Sequence, residues 1–146
     1  MQLALQQAHL AFQQDEVPVG AIVVYQNQVI GVGHNLREKQ HDLTGHAEII
    51  AMKQATKKLG TWRLEACTLY VTLEPCLMCT GAIIQSRIHR VVYGARDDKS
   101  GALHSQIKIH KIPRVQHLPL IDGGVLSLAS QTILKQYFEN KRNEKK

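Results

Sequence analysis

Thr68-Leu-Tyr-Val-Thr-Leu-Glu-Pro-Cys-Leu-Met-Cys-Thr-Gly-Ala-Ile-Ile-Gln-Ser86, followed by Arg90-Val-Val-Tyr-Gly94, is the stretch that decides the fold. Thr68 to Leu73 is branched and aromatic and reads as a strand. Pro75 then opens a helix reaching about Ser86, because a proline fits a first helical turn, where its missing N–H costs nothing. Arg90 to Gly94 is a second strand. Upstream, Ala21-Ile-Val-Val-Tyr25 and Val29-Ile-Gly-Val-Gly33 flank Gln26-Asn27-Gln28, which predicts a hairpin. Between hairpin and strand, His46 to Leu59 places Ala47, Ile50, Ala51, Ala55 and Leu59 at helical spacing, and Gly60 stops the helix. Strands alternating with helices after an initial hairpin give an α/β layered domain with a mixed sheet.

The flanks are less sharply written. The opening Met1–Glu16 segment reads as an amphipathic helix with Leu3 and Leu10 on its apolar face; it has neither the basic start nor the unbroken apolar run of a signal peptide. Residues 95 to 114 read as a long functional loop. Val115 to Leu120 reads as a weak strand that Pro119 confines to an edge or an end. Val125 to about Asn140 forms a closing helix, followed by a basic tail. With 146 residues, 44% hydrophobic and 21% charged, and no repeat or linker, the chain fits one domain with one core. No stretch approaches the roughly 20 apolar residues a membrane span needs. Three cysteines, Cys67, Cys76 and Cys79, argue for reduced thiols and a cytoplasmic setting rather than a disulfide framework. A net charge of +6 permits an anionic partner such as nucleic acid, though many basic domains bind none.

Two short motifs carry chemistry: His46-Ala47-Glu48 and Pro75-Cys76-Leu77-Met78-Cys79, each at a helix start. Cys76 and Cys79, three apart, share a helical face. His46 and Glu48, two apart, can serve one site only if it lies off the helix N-terminus. The partial positive charge there favours thiolates and a carboxylate. Two thiolates and an imidazole are three ligands of the softness zinc prefers, and a fourth position stays open for water, as in catalytic rather than structural sites. Zinc lowers the pKa of such a water from about 15.7 to about 7, and Glu48 then serves as proton shuttle. A lone C-x-x-C also fits a redox pair or half of a zinc finger. No second C-x-x-C exists; Cys67 reads as a buried strand residue, and His34, His41 and His104 as surface or loop histidines.

His-x-Glu with Pro-Cys-x-x-Cys is the known signature of zinc nucleobase deaminases, bacterial tRNA adenosine deaminases among them, and the chemistry above is that known for the signature. The similarity extends further, through Asp15-Glu-Val-Pro-Val-Gly-Ala21, Gly33-His-Asn35, His46-Ala-Glu48, Val71 to Cys79, Gly81-Ala82, Ser86-Arg-Ile88, and Gly94-Ala-Arg-Asp97 with Lys99 and Gly101. Over nearly its whole length the chain resembles the tRNA-specific adenosine deaminase family. That resemblance implies a cytidine-deaminase-like fold, a three-layer α/β/α sandwich on a five-stranded mixed sheet. It implies that residues 1–146 form a single zinc-dependent deaminase domain. One Zn2+ per subunit, carrying a water or hydroxide, would be bound by His46, Cys76 and Cys79, with Glu48 catalytic. Asn35 would hydrogen-bond the flipped adenine and Val17 would line its pocket. Asp97 would contact the sugar-phosphate backbone, with Arg96 and Lys99 near the RNA. The implied reaction is adenosine to inosine at the wobble position of a tRNA, an arginine tRNA in the usual bacterial case, by a homodimer gripping the anticodon stem-loop. Leu43 and Gly45 depart from the family's more usual proline and alanine or serine, Glu139 from a basic residue, and 103–118 diverge most. Two other readings stay open: a free-base or nucleotide deaminase, such as a guanine deaminase, on the same fold, and a non-catalytic zinc-stabilised RNA-binding subunit.

Overall fold

The computed structural model describes residues 1–146. In chain order the elements are α1 (Gln2–Gln13), β1 (Gly20–Tyr25), β2 (Gln28–His34), the single turn α2 (Arg37–Gln40), α3 (Ala47–Leu59), β3 (Cys67–Leu73), α4 (Leu77–Gln85), β4 (Arg90–Ala95), β5 (Leu120–Asp122) and α5 (Ser127–Glu144). A short 3₁₀ turn, Ile109–Lys111, interrupts the long connection between β4 and β5. The sheet order is β2-β1-β3-β4-β5. β1 is antiparallel to both neighbours, whereas β3, β4 and β5 run parallel, so the sheet is mixed and five-stranded. Helices α3 and α4 cover one face, and α1 and α5 the other. The result is the expected three-layer sandwich.

The hairpin closes through Gln26 and Asn27, both with positive φ (49° and 61°), the left-handed backbone region that lets a two-residue loop match the right-handed twist of its strands. Val23 pairs with Gly31 and Val24 with Val29, so Ile30 is an extra residue. The bulge turns its side chain into the core with Val23, Leu69 and Val91. That core lies between the sheet and the α3–α4 layer: Ala21, Val71 and Tyr93 come from the strands, and Ala47, Ala51, Ala55 and Ile83 from the helices. Cys67 is among these core residues, fully buried at the start of β3.

Helix α1 departs from expectation in the face it buries. Ala4, Ala8 and Ala11 are fully buried, whereas Leu3 and Leu10 are 49% and 40% exposed. The cause lies in the sheet: a Cβ on Gly20 would stand 2.0 Å from the Ala4 carbonyl oxygen. The helix backbone rests so close to the strand that only alanines fit between them, and the leucines are turned outward.

β5 is a second correction. It occupies Leu120–Asp122 instead of 115–120 and pairs with Arg90–Val92. Pro119 has no N–H to give the ladder, so pairing starts one residue later, where the Leu120 N–H donates to the His89 carbonyl at 3.0 Å. The helix expected from Pro75 begins at Leu77 with Cys76 as its cap, and the closing helix runs from Ser127 to Glu144. No helix is long and apolar enough to cross a membrane. The carboxyl ends of the parallel strands β3 and β4 open at the same rim as the start of β1 and the N-termini of α3 and α4, where α/β sheets place ligands.

Candidate active site

Both motifs sit where the chain turns from extended backbone into helix. His46 is the N-cap of α3 (φ −83°, ψ 148°), and Cys76 is the N-cap of α4 (φ −73°, ψ 178°). Glu48 and Cys79 follow inside the first turn of each helix. A capping residue points its side chain forward from the helix end, so His46 and Glu48 reach one place despite their spacing. The His46 Nδ1 atom is 3.6 Å from the Cys76 sulfur and 3.5 Å from that of Cys79. These three donor atoms lie within 4.8 Å of one another, and no fourth His, Cys, Asp or Glu joins the group. A tetrahedral ion with Zn–S of about 2.3 Å and Zn–N of about 2.0 Å needs its sulfur and nitrogen donors roughly 3.6 Å apart. The donor set fits zinc in kind and in spacing, and lacks the fourth protein ligand of a closed structural site.

Glu48 is buried, and its Oε2 accepts a hydrogen bond of 2.9 Å from the Cys79 thiol. Burial pushes its carboxyl above the ordinary range, against the smaller opposing pull of that hydrogen bond. Cys76 is lowered to about 4, first by the hydrogen bond it receives from Cys79 and then by His46. Cys79, which supplies that bond, is pushed up, with burial and the neighbouring Glu48 acting in the same direction. His46 is raised by its hydrogen bond to Cys76, against the opposing effect of its burial.

A cavity of about 150 Å³ opens over these groups. His46, Ala47, Glu48 and Cys76 form its floor, Val17, Val19 and Leu73 are apolar wall, and Asn35, Arg37, Glu74, Asp97 and Ser100 are its polar rim. Asn35 Nδ2 donates to the Val17 carbonyl at 3.3 Å, and its Oδ1 accepts from the Arg37 N–H at 3.0 Å. Each end of the amide is thereby oriented, with one hydrogen and one lone pair still free for a ligand. Asp97 caps its own turn: Oδ1 accepts from the N–H groups of Lys99 and Ser100, and Oδ2 from the Ser100 hydroxyl at 2.6 Å.

Of the residues singled out from sequence, His46, Glu48, Cys76, Cys79, Asn35, Val17 and Asp97 converge here. Arg96 and Lys99 do not line the cavity. Both are exposed beside it, and Arg96 Nε donates to the Ser105 hydroxyl at 3.2 Å. The other histidines are engaged elsewhere: the His34 ring lies between Gln7 and Gln14, and His104 Nδ1 is 2.7 Å from the Tyr93 hydroxyl. Leu43 is solvent-exposed, and the loop before His46 is closed by the Asp42 carboxylate on Thr44 and by the Leu36 N–H on the Gly45 carbonyl. Sequence reading missed Arg37, Glu74 and Ser100. Glu74 stood in plain view beside Pro75, but nothing local showed what its carboxylate would face.

Comparison with known proteins agrees with this geometry. Residues 1–142 match the MafB19-like deaminase family. The tRNA-specific adenosine deaminase of Bacillus subtilis (strain 168) is 41% identical over 146 residues, which is 100% of this chain and 91% of that one. A solved structure from biochemical and structural studies of A-to-I editing by tRNA:A34 deaminases at the wobble position superposes with a TM-score of 0.89 at 42% identity. It covers 92% of this chain and 97% of its own. The guanine deaminase from Nitrosomonas europaea superposes at 0.73 with 25% identity, covering 92% of this chain and 80% of its own. The shared fold therefore reaches across several substrate branches, while sequence identity concentrates in one. By its full-length similarity and by the motifs that build its cavity, the chain belongs to the tRNA-specific adenosine deaminase family.

Proposed function

We propose that this chain hydrolyses adenosine to inosine, with release of ammonia, at the wobble position of a tRNA. The observation that carries the reading is the convergence of His46, Cys76, Cys79 and Glu48, from two helix starts, under one small cavity. His46, Cys76 and Cys79 would hold a zinc ion, which supplies Lewis-acid activation of a water for attack on the purine ring. Glu48 would take the proton from the attacking water on a carboxylate oxygen and deliver it to the ring nitrogen beside the attacked carbon; it would then carry the proton of the new C–OH to the amine, which leaves as ammonia as the C–N bond breaks. Asn35 fixes the edge of the base with the free half of its amide. Val17, Val19 and Leu73 form the apolar wall against which the ring packs.

An anticodon loop suits this site because its unpaired bases enter a pocket without breaking a duplex. The net charge of +6 supports a polyanionic substrate, and Arg96 and Lys99 are exposed beside the cavity, where they would meet its phosphates. In this reading residues 1–146 act as a single deaminase domain in the cytoplasm, as a homodimer, on an arginine tRNA. The test is inosine formation by the purified, zinc-loaded protein on an anticodon stem-loop with a wobble adenosine, with free adenosine, guanine and cytidine alongside. Turnover of the stem-loop alone supports the reading. Turnover of a free base with an inert stem-loop would move the protein to the small-molecule branch.

A further inference from the structure

We propose that Glu74 is a positioning residue, whose buried carboxylate holds the Asp97–Ser105 segment as one wall of the cavity and so sets the grip on the substrate nucleotide rather than the chemistry. Glu74 is only 2% exposed, yet it has no cationic partner: five donors meet its two oxygens, all from that one segment. Oε2 accepts the N–H groups of Leu103 (3.1 Å), His104 (2.9 Å) and Ser105 (3.0 Å). Oε1 accepts the Ser105 hydroxyl (2.5 Å) and the Asp97 N–H (3.3 Å). A buried charge is costly unless its oxygens are filled by donors, and here they are. A plug with no task beyond filling space would be apolar.

The segment is wrapped tightly around this anion. A Cβ on Gly101 would stand 2.4 Å from both Cδ and Oε2 of Glu74. Two members of the segment, Asp97 and Ser100, form part of the cavity rim. Asp97 orients its own turn, as described above, but the turn as a whole is fixed to the body of the protein through Glu74 and through the Ala102 N–H on the Pro75 carbonyl at 2.9 Å. Glu74 thus joins the end of β3, from which the cysteine helix departs, to the adjoining wall of the cavity formed by the segment after β4. A glutamine serves less well: with its carbonyl oxygen on the Leu103, His104 and Ser105 N–H groups it loses the charge that strengthens those bonds, and its amide nitrogen would point a hydrogen at the Asp97 N–H.

This inference rests on the proposed deaminase reading for its substrate, so its test carries a readout that needs none. Full-length, zinc-loaded wild type, Glu74→Gln and Gly101→Ala are compared by amide hydrogen exchange and by kcat and KM on the anticodon stem-loop. Gly101→Ala presses on the same carboxylate, and on the Asp97 carbonyl oxygen, from the loop side while Glu74 keeps both its oxygens, so it decides the matter if Glu74→Gln does not fold. In both variants the Leu103, His104 and Ser105 amides should exchange about tenfold faster or more. KM should rise about tenfold with kcat changed less than about threefold, the pattern of lost binding rather than lost transition-state stabilisation. Unchanged exchange at those amides would overturn the assignment, and so would a fall in kcat at constant KM or a loosened segment with KM unmoved. An inert wild type would sink the substrate reading, while the exchange data would still decide whether Glu74 holds the segment.

Discussion

Replacing Gly33 by alanine should damage catalysis more than stability, although Gly33 touches no reacting group. The residue is next to last in β2 on the face that carries α3, and a Cβ there would stand 2.3 Å from the Ala47 carbonyl oxygen and 2.9 Å from the Ala51 nitrogen. Both are helix backbone atoms, unable to swing aside as a side-chain tip can. Ordinary contact begins at 3.4 Å, so the first turns of α3 must lift by about 1 Å. Overpacking of this kind costs about 1–3 kcal/mol, and at roughly 2–4 °C per kcal/mol for a chain this long the melting temperature should fall by roughly 2–12 °C. Ala47 lies between His46 and Glu48, so the lift moves the proposed metal ligand and proton shuttle together, away from the cysteines that α4 holds in place. Misplacing a catalytic group by about 1 Å costs on the order of 10²-fold in rate. The assay is inosine formation on the anticodon stem-loop, with urea unfolding and metal content measured on the same preparations. Gly81→Ala is the control: nothing lies within 4 Å of a Cβ there, so it should gain about 0.4–1 kcal/mol of stability and keep its rate. A Gly33→Ala protein as fast and as stable as wild type would show that close helix–strand approach does not set the site.

Three further outcomes are expected. Glu48→Gln should keep its fold and its metal and lose about 10²–10⁴-fold in deamination, and a residual rate within tenfold of wild type would remove Glu48 as the shuttle. Chelation of the metal should lower the melting temperature and added zinc restore it, because a ligand that binds only the folded state stabilises it; indifference to chelator would count against a site at His46, Cys76 and Cys79. The His34 ring is held below its ordinary value of 6.5, first by burial and then by Lys39. Its folded form therefore resists the proton more than its unfolded form does. The stability this gives is fully present above pH 6.5 and lost as pH falls through the lower, folded value. Unfolding free energies measured between about pH 7.5 and 5 should show this loss, and His34→Gln should flatten it; equal slopes in the two proteins would discard the assignment.

The His46–Cys76–Cys79 cluster and Glu48 beside it were legible because their signals are local. Pro75 and Gly60 mark helix ends, and the motifs place the ligands at those ends. Asn35, Val17 and Asp97 were legible only through family resemblance, since a strand-end asparagine and a loop aspartate have ordinary explanations of their own. The buried face of α1 was misread because hydrophobicity favours Leu3 and Leu10, whereas the close approach at Gly20 favours Ala4, Ala8 and Ala11. Glu74 was invisible for a different reason. Four of its five donors are backbone N–H groups 23 to 31 residues downstream, which every sequence possesses and no pattern of side chains reveals.

The same asymmetry explains how the site is assembled. His46 and Cys76 bring the chemistry, but neither fixes the distance between the helices that carry them. For α3 that distance follows from what lies beneath it, where Gly31 and Gly33 meet the alanine row Ala47, Ala51 and Ala55. The close approach carries the helix N-terminus, with its partial positive charge, to the rim where the parallel strands end. The opposite wall is set by other means, a buried carboxylate gathering five donors from one loop. One device is steric and acts on the catalytic floor; the other is electrostatic and acts on the substrate-facing rim. Because they share no residue, a change at Glu74 should loosen the rim and leave the floor in place, and a change at Gly33 should do the reverse.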